Sequence, residues 1–413
     1  MHRAIPCLLL VAMLLWPTLP LLAHEAQSHF EAGVRAFAEG KYAEAVSALT
    51  QAVTSYPGYA QAHYLLGNTY YQRQEYASAR QALERAIASY PGYAEAHYLL
   101  GATLYQQQEF AAAEQAVRQA LTFYPRYEEA HDLLATLAER QDAIPQALEA
   151  YRQVLALNPA NREARLRLGI LLEKTEQFAD AKQAYQQIIA EQPQHSEALL
   201  RLGILAERQK RPEEALAAYR ALVTQHPEHA EAHYRLAVLY DTQNDAKQAM
   251  AAYSRVLTLQ PAHAEAALYL GILQAQQGED SAAETSYKKA LAAKEDLTEA
   301  QYHLALLYKK QQKLSQAIDL LKQVVAQQPQ YIEARYNLGV LYVGQKQYRP
   351  AVTEFEAVVT ARPDFREAHY SLGVCYEFYL SNLPKALEHY RTFIALGGSD
   401  TRVQQLLESS KRR

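Results

Sequence analysis

Residues 94–127 read AEAHYLLGATLYQQQEFAAAEQAVRQALTFYPRY, and this stretch decides the fold because the chain repeats its pattern. The stretch has a proline near its end, and prolines recur along the chain in steps of 34 residues. Glu295 occupies the one slot that lacks proline and stays in phase. A 34-residue period with helical patterning predicts a helix-turn-helix solenoid. The prolines of the series are Pro57, Pro91, Pro125, Pro159, Pro193, Pro227, Pro261, Pro329 and Pro363.

The residue types inside the period support two antiparallel helices per repeat. With Ala26 as position 1, position 8 is Gly or Ala in every repeat, position 20 is Ala in the first ten, and position 24 is large. Helices approach closely where both present small side chains, so we expect position 8 to face position 20. Proline at position 32 lacks an N–H and disfavours helix in the residue before it, which ends the second helix.

Residues 94–127 resemble the tetratricopeptide repeat (TPR) family. They fit nearly all of its pattern of a large residue at 4, Leu-Gly at 7 and 8, Tyr at 11, Ala at 20, an aromatic at 24, Ala at 27 and Pro at 32. The resemblance implies an all-α fold, a right-handed α-solenoid of about eleven repeats over residues 26–400 with a C-terminal capping helix at 401–413. The eleventh repeat gains one residue near Asn382. The repeats are expected to start at residues 26, 60, 94, 128, 162, 196, 230, 264, 298, 332 and 366.

Residues 1–23 differ from the repeats and predict a signal peptide. A weakly basic start is followed by an apolar run from Ile5 to Leu22, and the segment ends on the small Ala23. An uncleaved membrane anchor is the alternative, and it is the only membrane contact that we expect. We therefore expect an exported protein, located in a bacterial periplasm, with anchoring or secretion as alternatives.

The cysteine count, the net charge and the lack of catalytic motifs limit which functions the chain could have. Cleavage would remove Cys7 and leave Cys375 alone, in an apolar setting that favours a buried thiol. The net charge of −4 predicts no nucleic-acid partner. The sequence contains no glycine-rich phosphate loop, nucleophile elbow or metal-spaced Cys/His set, so we expect no enzyme activity, catalytic residue, metal or cofactor.

A histidine recurs at position 4, and it invites a metal-site hypothesis. Glu95 and His97 lie two residues apart, however, and so point to different sides of a helix. Histidines of consecutive repeats would lie on helices ~8–10 Å apart, whereas zinc ligands lie ~2 Å from the metal. The pattern therefore favours a packing role for His29, His63, His97, His131, His233 and His369.

The resemblance also implies a concave groove lined by positions 2, 5, 9, 12 and 13 of each first helix. Tyrosine, an amphipathic contact residue, recurs at positions 5 and 12. The same rings could pack on neighbouring repeats instead, and the sequence leaves both readings open. Acids at position 12 of repeats 4 to 7 predict a charged middle of the groove. The predicted partner-binding residues are Tyr64, Asn68, Tyr71, Tyr98, Tyr105, Tyr234, Tyr302, Tyr336 and Tyr370.

These features favour a non-enzymatic interaction scaffold in the cell envelope. Its partner would be a protein that places an extended peptide or a helix in the groove. Relatives of this kind suggest envelope complex, pilus or exopolysaccharide assembly. The alternative is a non-catalytic subunit or glycan-binding component of a polysaccharide or glycosyl-transfer system.

Overall fold

The structure, a computed structural model, describes residues 22–411, and within this range the chain is all helices and short turns without a β-strand. The α-solenoid class is thus confirmed. The predicted signal peptide, with Cys7 and Trp16, lies outside the described residues except for its last two positions. None of the described helices combines the length and apolar character that a membrane span requires. The described residues divide into two compact units, one up to Leu205 and one from Ala206 onwards.

The first unit is a run of consecutive helical hairpins. Its helices are 13 to 17 residues long, and from α3 onwards every first helix has 13 and every second helix 14. The bounds are α1 Leu22–Ala38, α2 Tyr42–Ser55, α3 Ala60–Gln72, α4 Tyr76–Ser89, α5 Ala94–Gln106, α6 Phe110–Phe123, α7 Glu128–Arg140, α8 Ile144–Leu157, α9 Arg162–Lys174, α10 Phe178–Glu191 and α11 Ser196–Arg208, the last of which crosses the unit boundary.

The second unit repeats the same hairpin and ends with a single additional helix. Its bounds are α12 Pro212–Gln225, α13 Ala230–Thr242, α14 Ala246–Leu259, α15 Ala264–Gln276, α16 Asp280–Ala293, α17 Thr298–Lys310, α18 Leu314–Gln327, α19 Ile332–Gly344, α20 Tyr348–Ala361, α21 Arg366–Val374, α22 Leu383–Ala395 and α23 Thr401–Lys411.

The turn inside each hairpin contains a left-handed residue at position 15. In repeat 2 this residue is Gln74, with φ of 62°. Its N–H donates to the Tyr71 carbonyl, and the N–H of Glu75 donates to the Tyr70 carbonyl, both at 2.9 Å. These two bonds form a Schellman motif, which usually takes glycine at the left-handed position. Among the described hairpins, two have glycine at this position, Gly40 and Gly278. The other hairpins have Gln, Asp, Glu, Lys, Asn or Ser there.

The two helices of a hairpin approach closely at the glycine of position 8. A Cβ placed on Gly67 would lie 2.7 Å from Leu83 Cγ and 3.3 Å from the Ala79 carbonyl oxygen. The glycine therefore contacts the backbone of the alanine at position 20, as expected, and lies still closer to the side chain at position 24. In repeat 10 the same Cβ on Gly339 would lie 2.6 Å from Phe355 Cε1.

Two of the acids at position 12 are explained by the buried tyrosines at position 24. Tyr151 donates its hydroxyl hydrogen to Glu139 at 2.8 Å, and Tyr185 donates to Glu173 at 3.1 Å. Glu173 is only 5% exposed. Because a buried hydroxyl needs a hydrogen-bond partner, these acids complete the hairpin core. The sequence predicted that Glu173 would contribute to a charged middle of the groove. This prediction is wrong, because Glu173 is buried in the hairpin core.

The extra residue of repeat 11 is accommodated by a π-helical turn, Cys375–Tyr379, and the left-handed turn residue moves to Ser381. Cys375 is 1% exposed, and burial raises the pKa of its thiol to about 11, so the buried-thiol prediction is confirmed. Helix α23 buries Val403. Arg402 donates from Nη1 to both Glu377 carboxylate oxygens, at 2.9 and 2.7 Å, and ties the last helix to repeat 11.

Candidate peptide-binding groove

The recurring histidine has a structural partner in the preceding repeat. His97 Nε2 lies 2.9 Å from the Pro91 carbonyl oxygen, and His233 Nε2 lies 3.1 Å from that of Pro227. Since a carbonyl only accepts, Nε2 is the protonated nitrogen in each pair. Burial lowers the pKa of His233, which favours the neutral ring. The position-4 histidine thus bonds to the position-32 carbonyl, and His63, His131 and His369 make the same contact.

Other residue types make the same bond where histidine is replaced. Arg335 Nε donates to the Pro329 carbonyl at 2.6 Å, and Gln301 Nε2 donates to the Glu295 carbonyl at 3.0 Å. Arg165 donates to the Pro159 carbonyl in the same way. The contact depends on a donor of sufficient reach and not on imidazole chemistry. Within residues 22–411, no group of three or more His, Cys, Asp or Glu side chains could hold a metal ion.

The predicted tyrosines at position 5 pack against the ring at position 34, next to the following repeat. The ring centroids of Tyr64 and Tyr93 lie 5.0 Å apart, and those of Tyr98 and Tyr127 lie 4.9 Å apart. Rings at these separations attract one another beyond the area they bury. Equivalent pairs are Tyr234 with His263, Tyr302 with Tyr331, and Tyr336 with Phe365. Tyr370 instead packs on Phe393 and donates to Asp400.

All nine predicted groove residues are half-buried, so each retains some accessible surface. Tyr71 and Tyr105, at position 12, pack on the first residue of the second helix, Tyr76 and Phe110 respectively. Asn68 accepts a hydrogen bond from Gln72 at 3.4 Å. The position-5 tyrosines therefore serve packing with one part of the ring, and whether they also bind a partner stays a prediction.

Three of the predicted residues come together in one cleft of about 290 Å³ in the first unit. Tyr98 and Tyr105 reach it from α5, and Tyr71 reaches it from the end of α3. The opposite wall comes from α7, where Glu129, Asp132 and Thr136 occupy positions 2, 5 and 9. These are the positions that the family resemblance assigns to the groove. The other six, Tyr64, Asn68, Tyr234, Tyr302, Tyr336 and Tyr370, do not line this cleft.

The α7 wall of the cleft is acidic. Glu128 is held in place, since Asn158 and Asn161 both donate to its Oε1 at 2.9 Å. Asp132 is half-buried, and its pKa is raised above the ordinary range, first by burial and then by the charges of Glu128 and Glu163. Burial penalises the charged form of a carboxyl, and like charges add to that penalty. The cleft therefore disfavours further negative charge.

Asp132 is the site residue that the sequence interpretation missed. Ten of the eleven repeats have Tyr, Phe or Leu at position 5, and repeat 4 has Asp132. An acid in a column of large apolar and aromatic residues was the available signal. Because tyrosine is the commonest residue at position 5, Asp132 was not among the predicted groove residues.

Family models described as tetratricopeptide repeat match most of the chain. One matches residues 30–94, 66–128, 133–177, 166–229, 211–262 and 234–297, and a second matches 308–375. Together they cover well over half of the chain. No curated protein matches it.

Several solved structures are similar over part of the chain. A crystal structure of MamA is 26% identical, with 38% of this chain and 92% of that chain covered and a TM-score of 0.37. The YrrB structure, described as a TPR protein with an unusual peptide-binding site, is 25% identical over 48% of this chain and 100% of that one, with a TM-score of 0.42. The Pseudomonas aeruginosa pilF structure is 23% identical over 50% and 94%, with a TM-score of 0.43.

Proposed function

Because the chain belongs to the tetratricopeptide repeat family, we propose that it is a non-enzymatic interaction scaffold whose groove binds a peptide or helix of a partner protein. Repeats of this type present an interaction surface that grows with their number, since each repeat contacts only its neighbours. The family explains the fold over most of the chain, and no segment with a recognised catalytic motif remains beside the repeats.

The observation that supports this function most directly is the cleft between α5 and α7. Its walls are formed by positions 5, 9 and 12 of one first helix and positions 2, 5 and 9 of the next. Helices α5 and α7 thus present one continuous surface. Aromatic side chains on it combine a large contact area with few rotatable bonds, which lowers the entropic cost of binding.

We place this scaffold in the cell envelope of a bacterium. The proposal is supported by the composition of residues 1–23, with a basic start, an apolar run and a small final residue. Trp16 provides a test, because it is the only tryptophan of the chain. Protein recovered from the whole cell envelope should lack tryptophan fluorescence if the segment is removed, and should retain it if the segment stays as an anchor.

The groove function is tested by photocrosslinking in the source cell, followed by mass spectrometry of the captured partners. The chain would be produced in full with a C-terminal tag. One variant changes Tyr71 and Tyr105 to Ala, since both rings line the cleft. A control variant changes Tyr90 and Tyr124, which are 57% and 49% exposed and lie outside the cleft.

Capture of a protein by the wild type and the control, with loss from the Tyr71/Tyr105 variant, is the expected result. Equal capture by all three would place binding on another surface. If no protein is captured, the glycan-binding alternative becomes the one to test, by incubating the purified chain with envelope polysaccharide.

A further inference from the structure

We propose that the cleft between α5 and α7 is a specificity site of the groove, which takes the cationic side chain of a lysine or arginine in the bound peptide. This inference rests on the proposed function, because it names the chemistry that the groove recognises.

The volume fits a long side chain. At about 290 Å³, the cleft is close to the ~300 Å³ lower end of small-molecule pockets. Both walls are helices, which hold their side chains more rigidly than loops do. Glu128 is further fixed by the two asparagine hydrogen bonds described above. A side chain that enters would therefore meet a preformed surface.

The charge of the cleft selects a cation. Glu128, Glu129 and Asp132 lie in its wall, and Glu139 and Glu163 act on Asp132 from nearby. Two basic residues reach the same region, and each already has a partner in the chain. Arg167 is paired with Glu163 at 2.9 Å, and Arg140 Nε donates to the Tyr105 hydroxyl at 3.3 Å.

The central carboxylates lack a directly paired cation, and the charge of Arg167 offsets only part of the burial and acidic charge around Asp132. In the part of the chain that the structure describes, neither Glu129 nor Asp132 forms an ion pair. A half-buried carboxylate without a partner is unfavourable, and a ligand ammonium or guanidinium group would offset that cost. An acidic ligand would be repelled, and an apolar one would bury the carboxylate without a partner.

The aromatic walls favour the same ligand. Tyr98 and Tyr105 stand on α5, with Tyr71 on α3, across the cleft from Asp132 on α7. The face of a tyrosine ring attracts a cation and also packs against the aliphatic stem of lysine or arginine. No other repeat has an acid at position 5 beside such rings, so the preference should be confined to this part of the groove.

The test is selection from a phage-displayed library of random dodecapeptides. The full chain, purified through a C-terminal tag, is compared with Asp132→Asn, which keeps the shape of the side chain and removes its charge. Glu149→Gln is the matched control, because it removes one charge from the exposed face of the same repeat. Thermal melting by circular dichroism checks that each protein is folded.

We expect the wild type and Glu149→Gln to enrich peptides with lysine or arginine at one fixed position. Asp132→Asn should still enrich peptides but lose that preference. For a selected peptide, replacing lysine by norleucine or arginine by citrulline should weaken binding to the wild type about tenfold. The same replacement should hardly change binding to Asp132→Asn, because the two changes remove one interaction.

The two proposals fail in distinguishable ways. The cation site would be overturned if the enriched peptides share no basic residue, or if Asp132→Asn keeps the preference for lysine or arginine. Either result would leave groove binding intact. A folded wild type that enriches no peptide would overturn the proposed groove function, and the cation site with it.

Discussion

Two glycines of helix α19 give a matched test of how closely the helices of a hairpin pack. In Gly339→Ala, the new Cβ would lie 2.6, 2.8 and 2.9 Å from three ring carbons of Phe355, whose side chain is fully buried. In Gly344→Ala, nothing lies within 4 Å of the new Cβ. Both changes remove glycine from the same helix, and only one places a methyl group against a packed ring.

The expected difference in stability between the two variants follows from two opposing effects. Replacing helical glycine by alanine stabilises by up to about 1 kcal/mol at either position, so this effect largely cancels between the variants. Overpacking of a buried ring costs about 1–3 kcal/mol. Ala135 naturally stands opposite Tyr151 in repeat 4, which shows that a ring in this place can yield to a methyl group. We therefore expect Gly339→Ala to be about 1–2 kcal/mol less stable than Gly344→Ala.

The assay is amide hydrogen exchange by mass spectrometry on fragments of α19 and α20, because repeats of a solenoid open locally. A third variant, Gly339→Ala with Phe355→Leu, reproduces the natural pairing of Ala305 with Leu321 in repeat 9. It should recover much of the lost protection. If Gly339→Ala is as stable as Gly344→Ala, the close packing at position 8 does not limit the hairpin and the reasoning is refuted.

Four further substitutions probe the turns and the last repeat. Gln108→Gly should stabilise the chain by about 0.5–1 kcal/mol in urea unfolding, because φ at this residue is 64°, and Gly278→Ala, at φ 79°, should cost about as much. Tyr390→Phe removes a hydrogen bond of 2.7 Å to the Glu377 carboxylate and should cost about 1.5 kcal/mol by the same method. Burial lowers the pKa of His389, so the unfolded chain binds that proton more readily. Stability should therefore fall as pH drops below about 6.5, with a smaller fall of the melting temperature in His389→Gln.

The period and the residue pattern were enough to predict the fold class and the family. A 34-residue repeat with small residues at fixed positions leaves few alternatives to stacked hairpins. The left-handed residues at position 15 were not predictable from their own identity. Gln74 and Glu176 carry no local signal for positive φ, and the hydrogen bonds of the turn impose it once both helices have formed.

The candidate site was predictable in its location and less so in its chemistry. Tyr71, Tyr98 and Tyr105 were named from their positions, and they do line one cleft. The state of Asp132 depends on desolvation and on carboxylates brought near by the fold, neither of which a one-dimensional pattern contains. The bond between Tyr185 and Glu173 likewise links residues twelve apart that meet only in the closed hairpin.

The bond from position 4 to the carbonyl of the preceding repeat has a consequence for how such a chain can grow. Eight of the ten repeat junctions contain it, with His, Arg or Gln as the donor, so the joint tolerates sequence drift as long as a donor of sufficient reach remains. A duplicated segment of 34 residues carries the donor for the carbonyl behind it and the carbonyl for the donor ahead of it. An array built this way can lengthen by whole repeats, because every new copy arrives with both halves of its junction.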